Sequence, residues 1–366
     1  MPRTSHWIIR SLSHVDVILL VLVLLLLGIS LAVVTSASGE SPARITGHLV
    51  NIALALGVMV VMANVPPHLL SKVGPPLYAV GIVLLVGVAL FGEIRNGARR
   101  WLDLGFMAFQ PSELLKLALP LMLAWYFQRN EGGLRTKHFF VAGALLAMPF
   151  LLILRQPDLG TALLIGASGF YLLFFAGLPW KVIVGGGALG AASLPVVWGL
   201  MHDYQRQRIL TLLDPSSDPL GAGYHIIQST IAIGSGGLFG KGWMQGTQNQ
   251  LDFIPERTTD FIYAVFGEEF GYVGAVLLVA LYLAVVARGL LIAARAPTLF
   301  GRLMAATVSL NLFTYVFVNM GMVSGILPVV GVPLPLMSYG GTALLTLLLG
   351  IGILMSVATH RQLNKS

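Results

Sequence analysis

Cysteine is absent from this 366-residue chain, which excludes a disulfide framework, a thiolate nucleophile and a Cys-based metal set. Charge is scarce too. Lys and Arg number 22, Asp and Glu 15, and together they make up 10% of residues, against about 25% in soluble domains. With 56% hydrophobic residues and a mean hydropathy of +0.85, the chain must bury its apolar surface in lipid. The eight histidines are scattered without an HxxxH pair, so no metal cluster is supported. No G-x-S-x-G elbow is present, which removes a Ser-His-Asp hydrolase of that type. No repeat relates the two halves, which lowers the case for an alternating-access transporter. The run Gly234 to Gly242 only approximates a phosphate loop: Ser235 stands at its first glycine position, and Gly242 stands where a magnesium-binding Ser or Thr belongs. It reads as a tight turn with a basic tip.

What is present is long apolar runs. Stretches near the roughly 20 residues that cross a bilayer recur at 15–35, 48–65, 75–92, 111–128, 139–155, 159–177, 180–201, 260–287, 303–323 and 337–358. The expected fold is all-α, a polytopic membrane protein with ten transmembrane helices in one domain spanning 1–366. The first run is too long for a cleaved signal peptide and reads as a retained helix. An even number of spans puts both termini on one side. The Lys and Arg of the short connections favour the cytoplasm for that side, although the bias is small by raw count. The net charge of +7 is thus first an orientation signal and second an affinity for anionic lipids or substrates, with no nucleic acid implied.

One segment breaks the pattern. Residues 202–260 hold Asp203, Arg206, Arg208, Asp214, Asp218, Lys241, Asp252, Glu256, Arg257 and Asp260 in a connector far longer than the usual dozen residues. Its apolar anchors, among them Ile226, Ile233, Trp243 and Phe253, separate it from a disordered tail. It is expected to be a large extracytoplasmic loop folded against the membrane, and the place of the chemistry. Arg95, Arg99 and Arg100 form one basic cluster on the same face, and Arg206 and Arg208 another. Together they suggest an anion-binding surface.

Three local patterns stand out. Gln110-Pro111-Ser112-Glu113 opens the fourth span, with Pro111 at a first helical position, Glu113 in the first turn and Lys116 one turn on. That pair is either a local ion pair or part of a substrate site facing a protein interior. Gln156-Pro157-Asp158-Leu159-Gly160 starts the sixth span, where Asp158 either caps the helix or orients Arg155 or a loop residue beside the site. Thr258-Thr259-Asp260-Phe261 starts the eighth. There Thr258 or Thr259 could cap and leave the Asp260 carboxylate free as a poorly solvated general base. Glu269 lies about half a turn around from Asp260, so both cannot face one site equally.

The run from Asn319 through Pro328, Pro333, Pro335 and Ser338-Tyr339-Gly340-Gly341-Thr342 resembles the C-terminal signature of the SEDS family (shape, elongation, division and sporulation). Arg100-Trp101-Leu102-Asp103-Leu104-Gly105, the Gln-Pro-Ser-Glu and Gln-Pro-Asp-Leu-Gly runs and Thr259-Asp260-Phe261 do so as well. With Asp203 to Arg208 and Asp214-Pro215, the chain is similar to the elongation branch, over nearly its whole length. The resemblance implies a peptidoglycan glycosyltransferase of the bacterial inner membrane, with both termini cytoplasmic. It would polymerise lipid II, a disaccharide-pentapeptide on undecaprenyl pyrophosphate, by inversion into β-1,4 glycan. It implies Asp260 as the catalytic residue and Trp101, Arg100, Glu113, Lys116, Asp158 and Arg208 as substrate-binding residues. It implies a class B penicillin-binding transpeptidase and other elongation-complex membrane proteins as partners. Ala108 stands where relatives often carry a basic residue, which leaves Arg99, Arg100 and Lys116 as the nearby cations. Cofactor need is open, a divalent cation included, with no protein metal site evident. The rival readings are a lipid II flippase and a non-catalytic scaffold.

Overall fold

The computed structural model describes residues 14–360 except 96–97, 104–107, 157, 202 and 220. Arg3, Arg10, Pro157, His202, Arg361 and Lys365 lie outside the described residues. The ten expected spans are ten helices: α1 (Val17–Ala37), α2 (Pro42–Ala63), α3 (Pro67–Phe91), α4 (Pro111–Arg129), α5 (Thr136–Leu154), α6 (Leu159–Phe175), α7 (Trp180–Leu200), α11 (Ile262–Arg295), α12 (Leu299–Val323) and α13 (Gly341–Thr359). Eight are long and apolar enough to cross a membrane; α6 is apolar but has 17 residues, and α4 carries Glu113, Lys116 and Arg129. The long connector contributes α8 (Asp203–Leu213), α9 (Ala222–Ser235) and the single turn α10 (Thr247–Gln250). The one departure from an all-helical chain among the described residues is a small antiparallel ribbon between α3 and α4: β1 (Glu93–Arg95), β2 (Ala98–Asp103) and β3 (Ala108–Phe109).

Capping explains the boundaries. Asp16 accepts from the Leu19 N–H ahead of α1, Asp158 from Thr161 ahead of α6, and Thr298 from Gly301 ahead of α12. Proline opens α2, α3 and α4, where its missing N–H costs nothing.

Two apolar cores hold the bundle. One joins α1, α2, α11, α12 and α13, and the other α3, α4, α5 and α6 with parts of α12 and α13. Glycine sets the closest crossings: a Cβ on Gly352 of α13 would lie 2.6 Å from the Met59 carbonyl of α2. Helix α7 stays at the periphery, with nearly every residue exposed. Several charges inside the bundle are paired, which offsets the cost of burial away from water. Asp16 at the start of α1 bonds Arg288 of α11, Glu113 bonds Lys116 at 2.6 Å, and Glu268 bonds Lys241 at 2.7 Å.

Helix α11 is broken at Gly271, whose φ of 65° and ψ of −164° are not helical. The expected apolar run gave no sign of it. Residues 237–249 of the connector bond to α11 on both sides of that break and to α1.

Candidate active site

Asp260 sits just before α11, and its surroundings come from the two ends of the last connector. Asn319, near the end of α12 and fully buried, donates through Nδ2 to the carbonyls of Asp260 at 2.8 Å and Val332 at 2.7 Å. Ser338 Oγ donates to the Thr259 carbonyl at 2.6 Å, and the Tyr339 N–H donates to that of Thr258 at 2.8 Å. These bonds fix the backbone of 258–260 and leave the carboxyl of Asp260 against Gly331, where an added Cβ would lie 3.4 Å from Oδ2. Gly331 has φ +71°, a conformation that suits glycine.

Neither Thr258 nor Thr259 caps α11. The N-cap is Phe261, without a side-chain bond, and Thr259 Oγ1 instead donates to Glu256 at 2.9 Å. The carboxylate is nonetheless free of capping duty. Burial raises its pKa from 3.8 to about 6, with the negative charge of Glu256 adding to the effect.

A second cluster forms where α4, α6 and α12 meet. Lys116 pairs with Glu113 and lies 5.5 Å from the ring centroid of Tyr315. Tyr315 is one helical turn below Asn319, so one face of α12 serves both clusters, about 6 Å apart along the axis. Asp158 caps α6 through Oδ1 at 3.1 Å and also takes a bond from Gln110 Nε2 at 3.2 Å. Arg100 approaches Asp158 Oδ1 at 3.9 Å and donates to the Gln156 carbonyl at 3.3 Å. Capping and orienting a basic neighbour are therefore both true of Asp158. The clusters are joined by the 330–332 backbone, because a Cβ on Gly160 of α6 would meet the Val330 carbonyl at 2.9 Å, and Val330 and Val332 flank Gly331.

The remaining sequence candidates are placed less directly. Trp101 is on β2 opposite Glu93, half-buried. Arg95 and Arg99 belong to the same ribbon. Arg208 is half-buried on α8, which packs on α9, and α9 presents His225 to Phe261 at 5.3 Å between ring centroids. Arg206 is engaged locally, donating to the carbonyls of Trp198 and Gly199 at 2.9 and 2.7 Å and closing the end of α7. It is thereby removed from the proposed anion surface. Lys241 is likewise engaged by Glu268, so the glycine run around it is no phosphate loop. Among the described residues, no three His, Asp or Glu side chains converge as a metal set.

Sequence reading missed Asn319 and Tyr315 as parts of the site. Their i,i+4 spacing was visible, but on an apolar span it gave no hint of which neighbours they meet.

Residues 14–363 match the model of the FtsW/RodA/SpoVE family, described as cell cycle proteins. The peptidoglycan glycosyltransferase MrdB of Escherichia coli K12 is 56% identical over 351 residues, covering 96% of this chain and 95% of that one. A probable peptidoglycan glycosyltransferase FtsW of Geobacter sulfurreducens is 34% identical, covering 96% and 97%. Among solved structures, a chain of a peptidoglycan synthase complex that coordinates polymerization and crosslinking matches with a TM-score of 0.81 at 36% identity, covering 94% of this chain and 97% of that one. The rod shape determining protein RodA of Thermus thermophilus matches with a TM-score of 0.72 at 31% identity, covering 95% and 98%. This chain belongs to the FtsW/RodA/SpoVE family of cell cycle proteins.

Proposed function

We propose that this chain is a peptidoglycan glycosyltransferase that polymerises lipid II, with Asp260 as general base. The observation that carries the reading is a single partly desolvated carboxyl with no capping duty, sharing one face of α12 with a buried lysine. The 4-hydroxyl of the acceptor GlcNAc attacks C1 of the lipid-linked donor sugar. As the C1–O4 bond forms, the proton of that hydroxyl passes to Asp260, and the C1–O bond to pyrophosphate breaks. Attack opposite an α-linked leaving group gives a β-1,4 bond and needs no covalent enzyme intermediate.

Undecaprenyl pyrophosphate leaves with its negative charge met by Lys116, Arg100 and Arg208, since fixed cations act most strongly where charge develops. Glu113 and Asp158 orient the first two of these. Trp101 offers a ring face to a sugar or to the lipid.

The chain would lie in the inner membrane with both termini cytoplasmic, putting the site on the outer face. Ser217→Cys should then react with an impermeant thiol reagent on intact spheroplasts, while Asn364→Cys should stay silent. Labelling at Asn364 alone would reverse the orientation. For the class B transpeptidase partner, the groove between α11 and α12 offers a surface. It holds about 280 Å³, lined by Tyr263, Val279, Leu283, Phe313, Phe317 and Ile326 among others, room for one or two apolar side chains of a transmembrane helix packed alongside.

The pH dependence follows from Asp260. A general base works only when deprotonated, so polymerisation should rise with pH through a midpoint near 6, well above the ordinary carboxylate value. Glu256→Gln removes the repelling charge but not the burial, so the midpoint should fall partway toward 3.8. An acid limb that ignores this substitution would detach Glu256 from the base. Polymerase and flippase separate in proteoliposomes loaded with labelled lipid II. The proposal expects polymer, whereas headgroup translocation with no polymer would overturn it.

A further inference from the structure

Two neighbouring glutamates of α11, eight and nine residues past Asp260, take no part in the mechanism. Both are buried, Glu268 at 0% exposure and Glu269 at 1%. Glu268 accepts from Lys241 Nζ at 2.7 Å, Thr247 Oγ1 at 3.2 Å, the Gln248 N–H at 2.9 Å and the Asn249 N–H at 3.2 Å. Four donors converging on one carboxyl mark it as an anchor. Glu269 accepts from Ser36 Oγ of α1.

The break at Gly271 lies just below, and the connector is spliced into it. The N–H groups of Lys241 and Gly242 donate to the carbonyls of Glu268 and Glu269, both at 3.0 Å. Those of Tyr272 and Val273 donate to the carbonyls of Gly237 and Leu238, at 2.9 and 3.0 Å. A Cβ on Gly271 would lie 2.3 Å from the Gly240 nitrogen, so only glycine permits this approach. The contact lies six to eleven residues into α11, about 9–16 Å along its axis. Trp243 Nε1 reaches the Ala32 carbonyl inside α1 at 3.0 Å. The segment therefore packs into the break of α11 and against α1, with Leu238 and Phe239 exposed at its tip by 65% and 80%. From Asn249 the chain returns through Arg257, which bonds the Asn249 carbonyl and Asp252, to Asp260. Residues 241–260 thus form a loop closed on α11, and Glu268 is its clasp.

We propose that Glu268 is a positioning residue for the polymerase reaction, holding residues 237–249 in the break of α11 and so fixing the loop that ends at Asp260. This rests on the glycosyltransferase reading of the Asp260 site. The adjacent Glu269 is the comparison: it faces Ser36, the Met244 N–H and the Asn249 side chain, and a glutamine there keeps one oxygen to accept from these donors. A glutamine at 268 turns an amide N–H₂ toward groups that are themselves donors.

The absence of native cysteine permits a direct test. Met244→Cys, half-buried in this segment, is introduced into the full chain, alone and with Glu268→Gln, Glu269→Gln or Lys241→Arg, and reacted in proteoliposomes with an impermeant maleimide. Once the segment is released from the break, that thiol should label several-fold faster in Glu268→Gln only, as a thiol reacts faster once water can ionise it. Without the added cysteine, Glu268→Gln should lower kcat for polymer about tenfold or more, in keeping with the cost of small misplacements, with KM for lipid II unchanged. Glu269→Gln and Lys241→Arg should stay within about twofold of wild type. If Glu268→Gln fails to fold, Glu268→Asp, which keeps the charge on a shorter arm, should show the same pattern in milder form. Unchanged labelling in the folded Glu268 variant, equal damage from Glu269→Gln, or a loss confined to KM would each overturn the proposal. Faster labelling with no polymer from wild type would instead sink the glycosyltransferase reading and leave the clasp standing.

Discussion

Asp260→Asn should abolish nearly all polymer while leaving the fold and lipid II binding intact. Asparagine keeps the size of the side chain, and the backbone here is held by bonds that the substitution does not touch, from Asn319, Ser338 and Tyr339. What the reaction loses is a group able to take a proton, and loss of a general base typically costs about 10²–10⁴ in rate. Thermal stability should not fall, because replacing a desolvated, repelled carboxylate by a neutral amide removes an unfavourable charge at neutral pH. Rate comes from single-turnover polymerisation and stability from a melting scan in the same detergent. Polymer within tenfold of wild type would take Asp260 out of the proton transfer.

The second large effect is expected at Lys116, where stability and recognition can be told apart. Its side chain and that of Glu113 are 14% and 18% exposed and 2.6 Å apart. Lys116→Met leaves the Glu113 carboxylate buried without its cation, a cost of about 3–5 kcal/mol when one partner of a buried pair is lost. The variant should melt well below wild type and make little polymer. Adding Glu113→Gln removes the stranded charge, so the double variant should recover most of the stability. Activity should not return, since the cation proposed to meet the pyrophosphate is still missing. Wild-type turnover in the stable double variant would reduce the pair to a structural ion pair, one of the two readings its helical spacing allowed.

The helices were legible in the sequence because lipid leaves an unambiguous mark: runs of about 20 apolar residues between Pro, Gly and capping side chains. Residue positions within the site were legible in part. Asp260, Glu113, Lys116 and Asp158 all stand at helix starts, where charge among apolar spans is conspicuous. Asn319 and Tyr315 were not, as polar residues within an apolar span announce a partner without naming it. The break at Gly271 was hidden for a different reason. It depends on carbonyl and N–H groups of residues 237–242, some 30 positions away, and backbone bonding of that kind leaves no side-chain pattern. Arg206 shows the reverse error. It looked like half of an anion-binding pair with Arg208, yet the nearest unsatisfied carbonyls were those ending α7, and they took it.

The central claim, that this chain itself joins sugars, is tested most directly by incubating the purified protein with labelled lipid II, alone and with a class B penicillin-binding transpeptidase whose own active serine is blocked. The account expects undecaprenyl pyrophosphate release and lysozyme-sensitive β-1,4 glycan strands in at least the partnered reaction, and neither from Asp260→Asn. Lipid II recovered unchanged from the partnered wild-type reaction would contradict it.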